Sequence, residues 1–392
     1  MAVDADGDAA FAWTTFNGAH DRIQTRTRSA AGTVSGIDTL SPKGRSSIEP
    51  AVAVDADGDA AYVWTLDNGT PSTRVQMRTR TSGAYSPIQN LSDPTNSALQ
   101  PDVAVTANGA AVFVWTRYDG THFRVQTAFL PVGGALSPVQ TLSNSGQSAL
   151  EPEVAIDSEG DAVYVWRRSD GLNTRIQSRV RTGLGGVLGP IQNLSGGGQN
   201  AGVPNVDVDD DGDAVFTWFR FDGSTNVIQG RARSIGGTLS DVQNLSAPGA
   251  FAGGPDVAVD FNGDAVFTWY RYDGTVNRVQ ARARSAAGAL SGVQNLSAAS
   301  PDGVFGAADD PHVAIDDSGD AVFTWRGSDS SGTLVQARTR SAAGSYGPRT
   351  DLSTGAFLDE PQIAVGADAS DAVAAWQRLN DPLDRIQGAA GP

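Results

Sequence analysis

The residues best suited to chemistry in this chain are carboxylates set four apart around a glycine. They are Asp4 and Asp8, Asp55 and Asp59, Asp209 and Asp213, and Asp260 and Asp264. Clustered oxygens of this kind are what a hard cation such as Ca2+ takes as ligands. The spacing also has a plainer reading, because Asp and Asn ahead of Gly bond the backbone two residues on and stabilise tight turns. The residue just before the turn glycine varies, from Asp6 and Asp57 through Asn108, Glu159, Asp211 and Asn262 to Ser318. That tolerance suits a turn better than a ligand set. One copy loses both flanking carboxylates together, at Thr106 and Ala110, as though the pair served a shared partner. Turn chemistry is the first expectation and Ca2+ the alternative; no other cofactor is indicated.

A second polar set follows each tryptophan by four residues: Asn17, Asn68, Asp119, Asp170, Asp222, Asp273, Asp329 and Asn380. Arg22, Arg74, Arg124, Arg175, Arg278 and Arg385 open the next segment. The two could pair across a hairpin as exposed ion pairs, or read a sugar with the nearby aromatics. Gln24, Gln76, Gln126, Gln177, Gln229, Gln280, Gln336 and Gln387 recur further on, as buried amides that would satisfy backbone between neighbouring units. Arginines such as Arg282 and Arg284 share their face and should lie with stems packed on the surface. Asn90, Asn193, Asn244 and Asn295 sit in an Asn-Leu-Ser that matches a glycosylation sequon and reads as a strand. His20, His122 and His312 fall in separate copies and form no metal set. No nucleophile–base–orienter set and no carboxylate pair for glycoside hydrolysis is recognised. No catalytic residue is therefore assigned.

These residues are placed by a repeat. All eight tryptophans, Trp13, Trp64, Trp115, Trp166, Trp218, Trp269, Trp325 and Trp376, share one register of about 51 residues. Copy six shows the pattern. A short apolar run (255–260), an Asn-Gly turn, an aromatic run (265–272), an Asp-Gly turn, an alternating run (278–284), a third turn and a last run (292–297) follow in order. Alternation with tight-turn dipeptides means antiparallel strands, here called A to D. Four-stranded units of this length, repeated four to eight times, indicate a β-propeller. The expected fold is all-β: a single eight-bladed propeller over 1–392 whose last blade is three-stranded. Blade boundaries fall near 1–49, 50–100, 101–151, 152–203, 204–254, 255–310, 311–360 and 361–392. Strand A carries small residues, as a crowded inner strand should. Strand B carries Phe or Tyr two before Trp in seven copies, so the tryptophans should be structural wedges between blades.

Composition bounds the rest. The 392 residues are 40% hydrophobic and carry a net charge of −16, which disfavours nucleic acid and anionic membranes as partners. No apolar window is long enough to insert in a membrane. There is no cysteine, so disulfides and thiol chemistry are excluded.

The pattern P-x-[VI]-A-[VI]-D-x-x-G-D-A-V-x-x-W, followed by R-[IV]-Q, resembles the repeats of large bacterial, secreted propeller proteins to which no activity is assigned. The resemblance covers the whole chain and implies an extracellular or cell-surface setting. Residues 1–11 already belong to a repeat and do not read as a signal peptide. The ends read as those of a fragment of a longer repeat chain, with Met1 at the cut.

One irregularity breaks the symmetry. The linker from strand D to the next proline spans nine residues in five copies but fourteen from Ser297 to Pro311. Asp302, Phe305, Asp309 and Asp310 in this long loop are the asymmetric ligand-binding candidates. The expectation is a monomeric, non-catalytic binding or structural module, whose partner is an unknown protein or glycan. Carbohydrate binding at repeated inter-blade sites is the alternative, and a hydrolase or lyase built on the long loop is a third reading.

Overall fold

The computed structural model describes residues 1–69, 72–297, 307–329, 332–355, 358–378 and 385–391. The fold is an eight-bladed β-propeller of antiparallel, mostly four-stranded sheets, the last with three strands. The chain divides into two compact units, Met1–Gly198 and Gln199–Pro392. The inner strands of the first unit are Ala2–Val3, Ser47–Val54, Ala98–Val105 and Ala149–Ile156. Those of the second are Ala201–Val208, Ala252–Val259, Ala308–Ile315 and Leu358–Ala364. Among the described residues the one helical segment is the 3-10 turn Ala369–Asp371.

Blade six stands for the rest. Strand A (Ala252–Val259) pairs with strand B (Ala265–Tyr272), B with C (Asn277–Arg284), and C with the two-residue strand D (Gln294–Asn295). Blade two adds a short strand, Ala84–Tyr85, beside strand C, where other blades make a single bridge such as Arg284↔Leu290.

Each inner strand starts about three residues ahead of the proline on which the sequence boundaries were placed. The reason is a bulge. Pairing shifts register between Leu99 and Asp102, and likewise between Gly253 and Asp256. The residue before the proline lies in the left-handed region in six blades: Glu49, Gln100, Glu151, Val203, Gly254 and Asp310, with φ from 49° to 57°. Only one of the six is glycine, so five side chains are held in a backbone region they disfavour. In the first unit the bulges are tied from blade to blade. Glu49 Oε2 accepts the Gln100 N–H at 2.8 Å, and Gln100 Oε1 accepts the Glu151 N–H at 3.1 Å.

Seven of the eight tryptophans are buried, and Trp13 is half-buried. Six of them are fully buried. Trp269 packs with Val215, Ile228 and Leu245 of blade five, and Trp325 with Val266, Val279 and Leu296 of blade six. Trp376 closes a smaller cluster with Val335 and Ala374. Where blade seven has Phe323, blade eight has Ala374, and a cavity of about 300 Å3 opens beside it, lined by Val322, Leu352, Ile363, Ala374 and Ala389. Trp269→Ala is expected to cost about 3–5 kcal/mol, the usual range for a buried Trp. Trp376→Ala, in the looser joint, should cost less. Chemical denaturation of the two variants checks the order, and equal losses would contradict it.

Candidate functional site

The structure shows what the carboxylate turns do. In blade six, Asp260 Oδ1 accepts the N–H groups of Asn262 and Asp264, each at 2.9 Å. Asp264 Oδ1 accepts the Ala286 N–H of the C–D turn at 2.8 Å. Asp4, Asp55 and Asp209 repeat the first bond, and Asp8, Asp59 and Asp213 the second. Thr106, which replaces Asp, accepts the Ala110 N–H through its hydroxyl at 3.1 Å, so the altered copy keeps its turn closed. The remaining oxygen of Asp260 faces the turn of the next blade, 3.0 Å from where a Cβ on Gly319 would stand. Gly319 has φ 89°, so both its backbone and its neighbour require glycine. Among the described residues, no group of three or more acidic or histidine side chains is arranged to hold a metal ion.

The B–C turns also act locally. Asp119, Asp170 and Asp273 form ion pairs with Arg124, Arg175 and Arg278. Asp273 also accepts the N–H groups of Thr275 and Val276, and these bonds with Arg278 hold its carboxyl down at about 2. The recurrent glutamine has a different task from the backbone contact expected between blades. It bonds side chains of its own blade: Trp269 donates to Gln280 Oε1 at 3.2 Å, and Gln280 Nε2 donates to Asn295 Oδ1 at 2.8 Å. Asn90, Asn193 and Asn244 take the same place. The serine after each Asn-Leu, for instance Ser297, accepts a strand C N–H. Arg282 does more than lie along the surface. It bonds its own C–D turn at Ser291 O and reaches back to blade five at Asn244 O and Leu245 O.

Of the long-loop candidates, Asp302 and Phe305 lie outside the described residues. Asp309 accepts two bonds from Arg326, at 2.8 and 3.1 Å. Asp310 is the bulge residue of blade seven. Both lie near Tyr270, whose phenol is pushed above its ordinary range by burial first and then by the charges of Asp309 and Asp310. Tyr270 occupies room that only glycine leaves. A Cβ on Gly253 would come within 2.6 Å of its hydroxyl, and one on Gly254 within 2.9 Å of its ring and 3.6 Å of Pro311.

One residue past Pro311, the inner strands carry a set that the sequence reading did not assemble. His312 Nδ1 lies 3.3 Å from Asp256 Oδ2, and His312 Nε2 lies 3.0 Å from Gln362 Nε2. The amide can only donate, so the consistent tautomer puts the imidazole hydrogen on Nδ1, facing Asp256, and leaves Nε2 with its lone pair. The His312 side chain is 33% exposed and that of Asp256 15%, so the ring can be reached while its orienting carboxylate is sheltered. Asp256 Oδ2 also accepts the Val313 N–H at 3.0 Å, which fixes the carboxylate across two blades. Asp207, one blade earlier, accepts the Val259 N–H at 2.8 Å. Burial pushes its carboxyl up from 3.8 to about 7, against the pull of two backbone N–H groups and with the charges of Asp256 and Asp209 adding to the rise. The signal for this set was present in the repeat. The residue after the inner-strand proline is the least constant in its register: Ala51, Asp102, Glu153, Asn205, Asp256, His312 and Gln362.

No family model matches the chain, and no curated protein sequence matches it. Solved structures share its fold. A polysaccharide lyase described as a PL25 ulvan lyase bound to a GlcA(1-4)Rha3S chain aligns with TM-score 0.53 and 8% identity, over 99% of this chain and 90% of that one. The polysaccharide lyase Uly1 aligns with TM-score 0.52 and 10% identity, over 85% and 88%. The propeller domain of the trilobed protease from Pyrococcus furiosus aligns with TM-score 0.53 and 6% identity, over 90% and 96%. The expectation of a non-catalytic module that is not an enzyme is corrected by this finding. Two of these three propellers are described as polysaccharide lyases, so this fold does not by itself mark a non-catalytic module.

Two outcomes test the electrostatics of these carboxylates. The native state holds the Asp207 proton more tightly than the unfolded chain does, so ionising this group lowers stability as pH rises from about 4 to about 7. Asp207→Asn should therefore gain melting temperature on the parent across that window and hold the gain above it; a constant difference at every pH would contradict the assignment. Because backbone N–H groups already take the turn oxygens, a chelator should leave the melting temperature unchanged. A drop would reveal a bound cation.

Proposed function

We propose that the protein is a polysaccharide-cleaving enzyme of the lyase type, acting on a uronate-containing glycan at the inner-strand ends of blades six and seven. The observation that carries this reading is the Asp256–His312 pair. A carboxylate holds the imidazole in one tautomer, and the unprotonated Nε2 faces an exposed amide that can swing aside. The Tyr270 phenol, pushed above its ordinary range by burial and by the charges of Asp309 and Asp310, keeps its proton, and Arg326 is oriented by its paired bonds to Asp309. These are the parts that β-elimination needs. His312 Nε2 takes the proton from C5 of the uronate. The C–H electron pair becomes the C4–C5 double bond as the C4–O bond breaks. Tyr270 gives its proton to the departing oxygen, and Arg326 meets the substrate carboxylate. The two lyases that share the fold support this chemistry over hydrolysis. A glycan substrate also fits the extracellular setting that the repeat resemblance implies, and one chain carries every group required.

The test is an assay against uronate polysaccharides that follows the ultraviolet absorbance of the new double bond. His312→Ala should lower the rate about 10²- to 10⁴-fold, the usual worth of a general base. Asp256→Asn should lower it as well, with the fold intact by circular dichroism. New reducing ends without unsaturated product, or full activity in His312→Ala, would sink the lyase reading.

A further inference from the structure

Blade six departs from its neighbours at three places, and the three meet. The first is the entry to its inner strand. The carbonyl of Phe251 accepts the Tyr272 N–H at 2.8 Å, the same bond that Ser46, Ser97, Ser148 and Asn200 make in blades two to five. The three serines also cap the start of strand C of the blade before, their hydroxyls accepting the N–H groups of Asp21, Thr73 and Phe123. Phe251 has no oxygen to do this, and it stands 44% exposed. The second departure is Gly253–Gly254, where blades three and four have Leu99–Gln100 and Leu150–Glu151. The third is Tyr270, where blades two to four have Thr65, Thr116 and Arg167.

The pairing explains why these changes come together. Gly253 lies opposite Tyr270, and Gly202 opposite Phe219 in blade five, whereas Ile48 and Leu99 face the small Thr65 and Thr116. A large ring is admitted where the side chain opposite it is removed. Phe251 and Tyr270 then lie with centroids 6.1 Å apart and planes inclined by 34°, closer to parallel than to edge-on. Tyr270 also feels the charges of Asp309 and Asp310, and Asp309 holds Arg326. It therefore joins an aromatic surface to the charged part of the proposed site. A single exposed ring needs no explanation. A ring that displaces a capping serine, beside a second ring with its own glycine clearance, gives the fold nothing that blades three and four lack.

We propose that Phe251, together with Tyr270, is a stacking subsite for a neutral sugar, the one that departs when its bond to the uronate breaks. The assignment rests on the lyase reading, which sets the uronate carboxylate on Arg326 and the departing oxygen at Tyr270. The sugar that carries this oxygen must lie beside Tyr270, and Phe251 extends the surface available to it. An aromatic face is the negative part of the ring's quadrupole, and the C–H side of a pyranose suits it. A second uronate in this place would bring its carboxylate against those faces and toward Asp309 and Asp310. The subsite therefore selects a chain in which a neutral sugar is linked to O4 of the uronate.

The test uses the full chain carrying His312→Ala, so that no substrate is consumed. The probes are two uronate oligosaccharides that differ only in whether a neutral sugar caps O4 of the non-reducing-end uronate. Calorimetry should show the capped chain bound more tightly. Phe251→Ser installs the residue of blades two to four, so the melting temperature should hold or rise. The same change should weaken the capped chain roughly tenfold and leave the uncapped chain unaffected. Phe251→Trp should restore the capped affinity. With His312 in place, Phe251→Ser should raise KM for the capped chain and leave kcat unchanged. Equal affinity for the two chains, or capped binding untouched by Phe251→Ser, would overturn the subsite. A capped chain that binds in the expected order but is never cleaved by the protein with His312 would overturn the lyase reading and leave the subsite standing. Binding of neither chain would overturn both.

Discussion

The buried tryptophan ring is the constraint from which much of this architecture follows. A tryptophan pressed between two sheets gains a large apolar contact, but its N–H is taken from water with the ring. In blades five to eight the glutamine opposite it on strand C supplies the acceptor, as Gln280 does for Trp269, whereas Trp64, Trp115 and Trp166 are buried without such a bond. A glutamine so used has an amide hydrogen to place, and the asparagine of strand D takes it. In blades one to six strand D is only two residues long, and in blade six side chains secure it as much as its ladder does. The serine hydroxyl that follows holds the same strand C backbone. The tie from strand C to strand D, made by Gln with Asn and by the serine hydroxyl in blades two, four, five and six, explains why Gln and Asn-Leu-Ser travel together through the repeat. It also explains why variation is pushed elsewhere.

Elsewhere means the inner edge. Strand A has no further strand beyond it, and its free N–H groups are met by carboxylates from the neighbouring blade: Asp102 for Val154, Asp207 for Val259 and Asp256 for Val313. The cost appears in the proton equilibria. Burial pushes Asp102 up to about 6 and Asp207 to about 7. In the second unit, an acid pushed up by burial stands one blade before a histidine set against Asp256, more titratable groups than a structural ladder needs. The outer part of each blade is kept constant by packing. The inner edge is where one substitution, such as His312, can introduce a reactive group without disturbing the wedge.

The blades were legible because period-two alternation and tight-turn dipeptides are local signals, and because the tryptophans mark the register. The turn role of Asp260 was legible for the same reason, since its bonds run two and four residues ahead. What escaped the sequence lies between copies. His312 meets Asp256 and Gln362 across 56 and 50 residues, so inspection within one repeat saw an isolated histidine. The glutamine was assigned to backbone between blades because its partners, the donor Trp and the acceptor Asn, become neighbours only once strands B, C and D pair. The bulge was hidden by the rule that a residue before proline is extended. Gly254 was its one hint among the six. No motif carries the proposed catalytic reading; it rests on the particular residues Tyr270, Gly253, Gly254 and His312.

The left-handed residue before each inner-strand proline has a consequence for how such a chain can change. At this point the backbone leaves the ladder for a single step, so the side chain there belongs to no cross-strand pair. Glutamate, glutamine, valine, glycine and aspartate all stand in it with φ between 49° and 57°. Each of these six blades therefore carries one socket whose occupant can be exchanged by a single codon without repacking a core. A repeat of near-identical units has little room to become different from itself; these sockets allow duplicated blades to acquire separate identities one residue at a time.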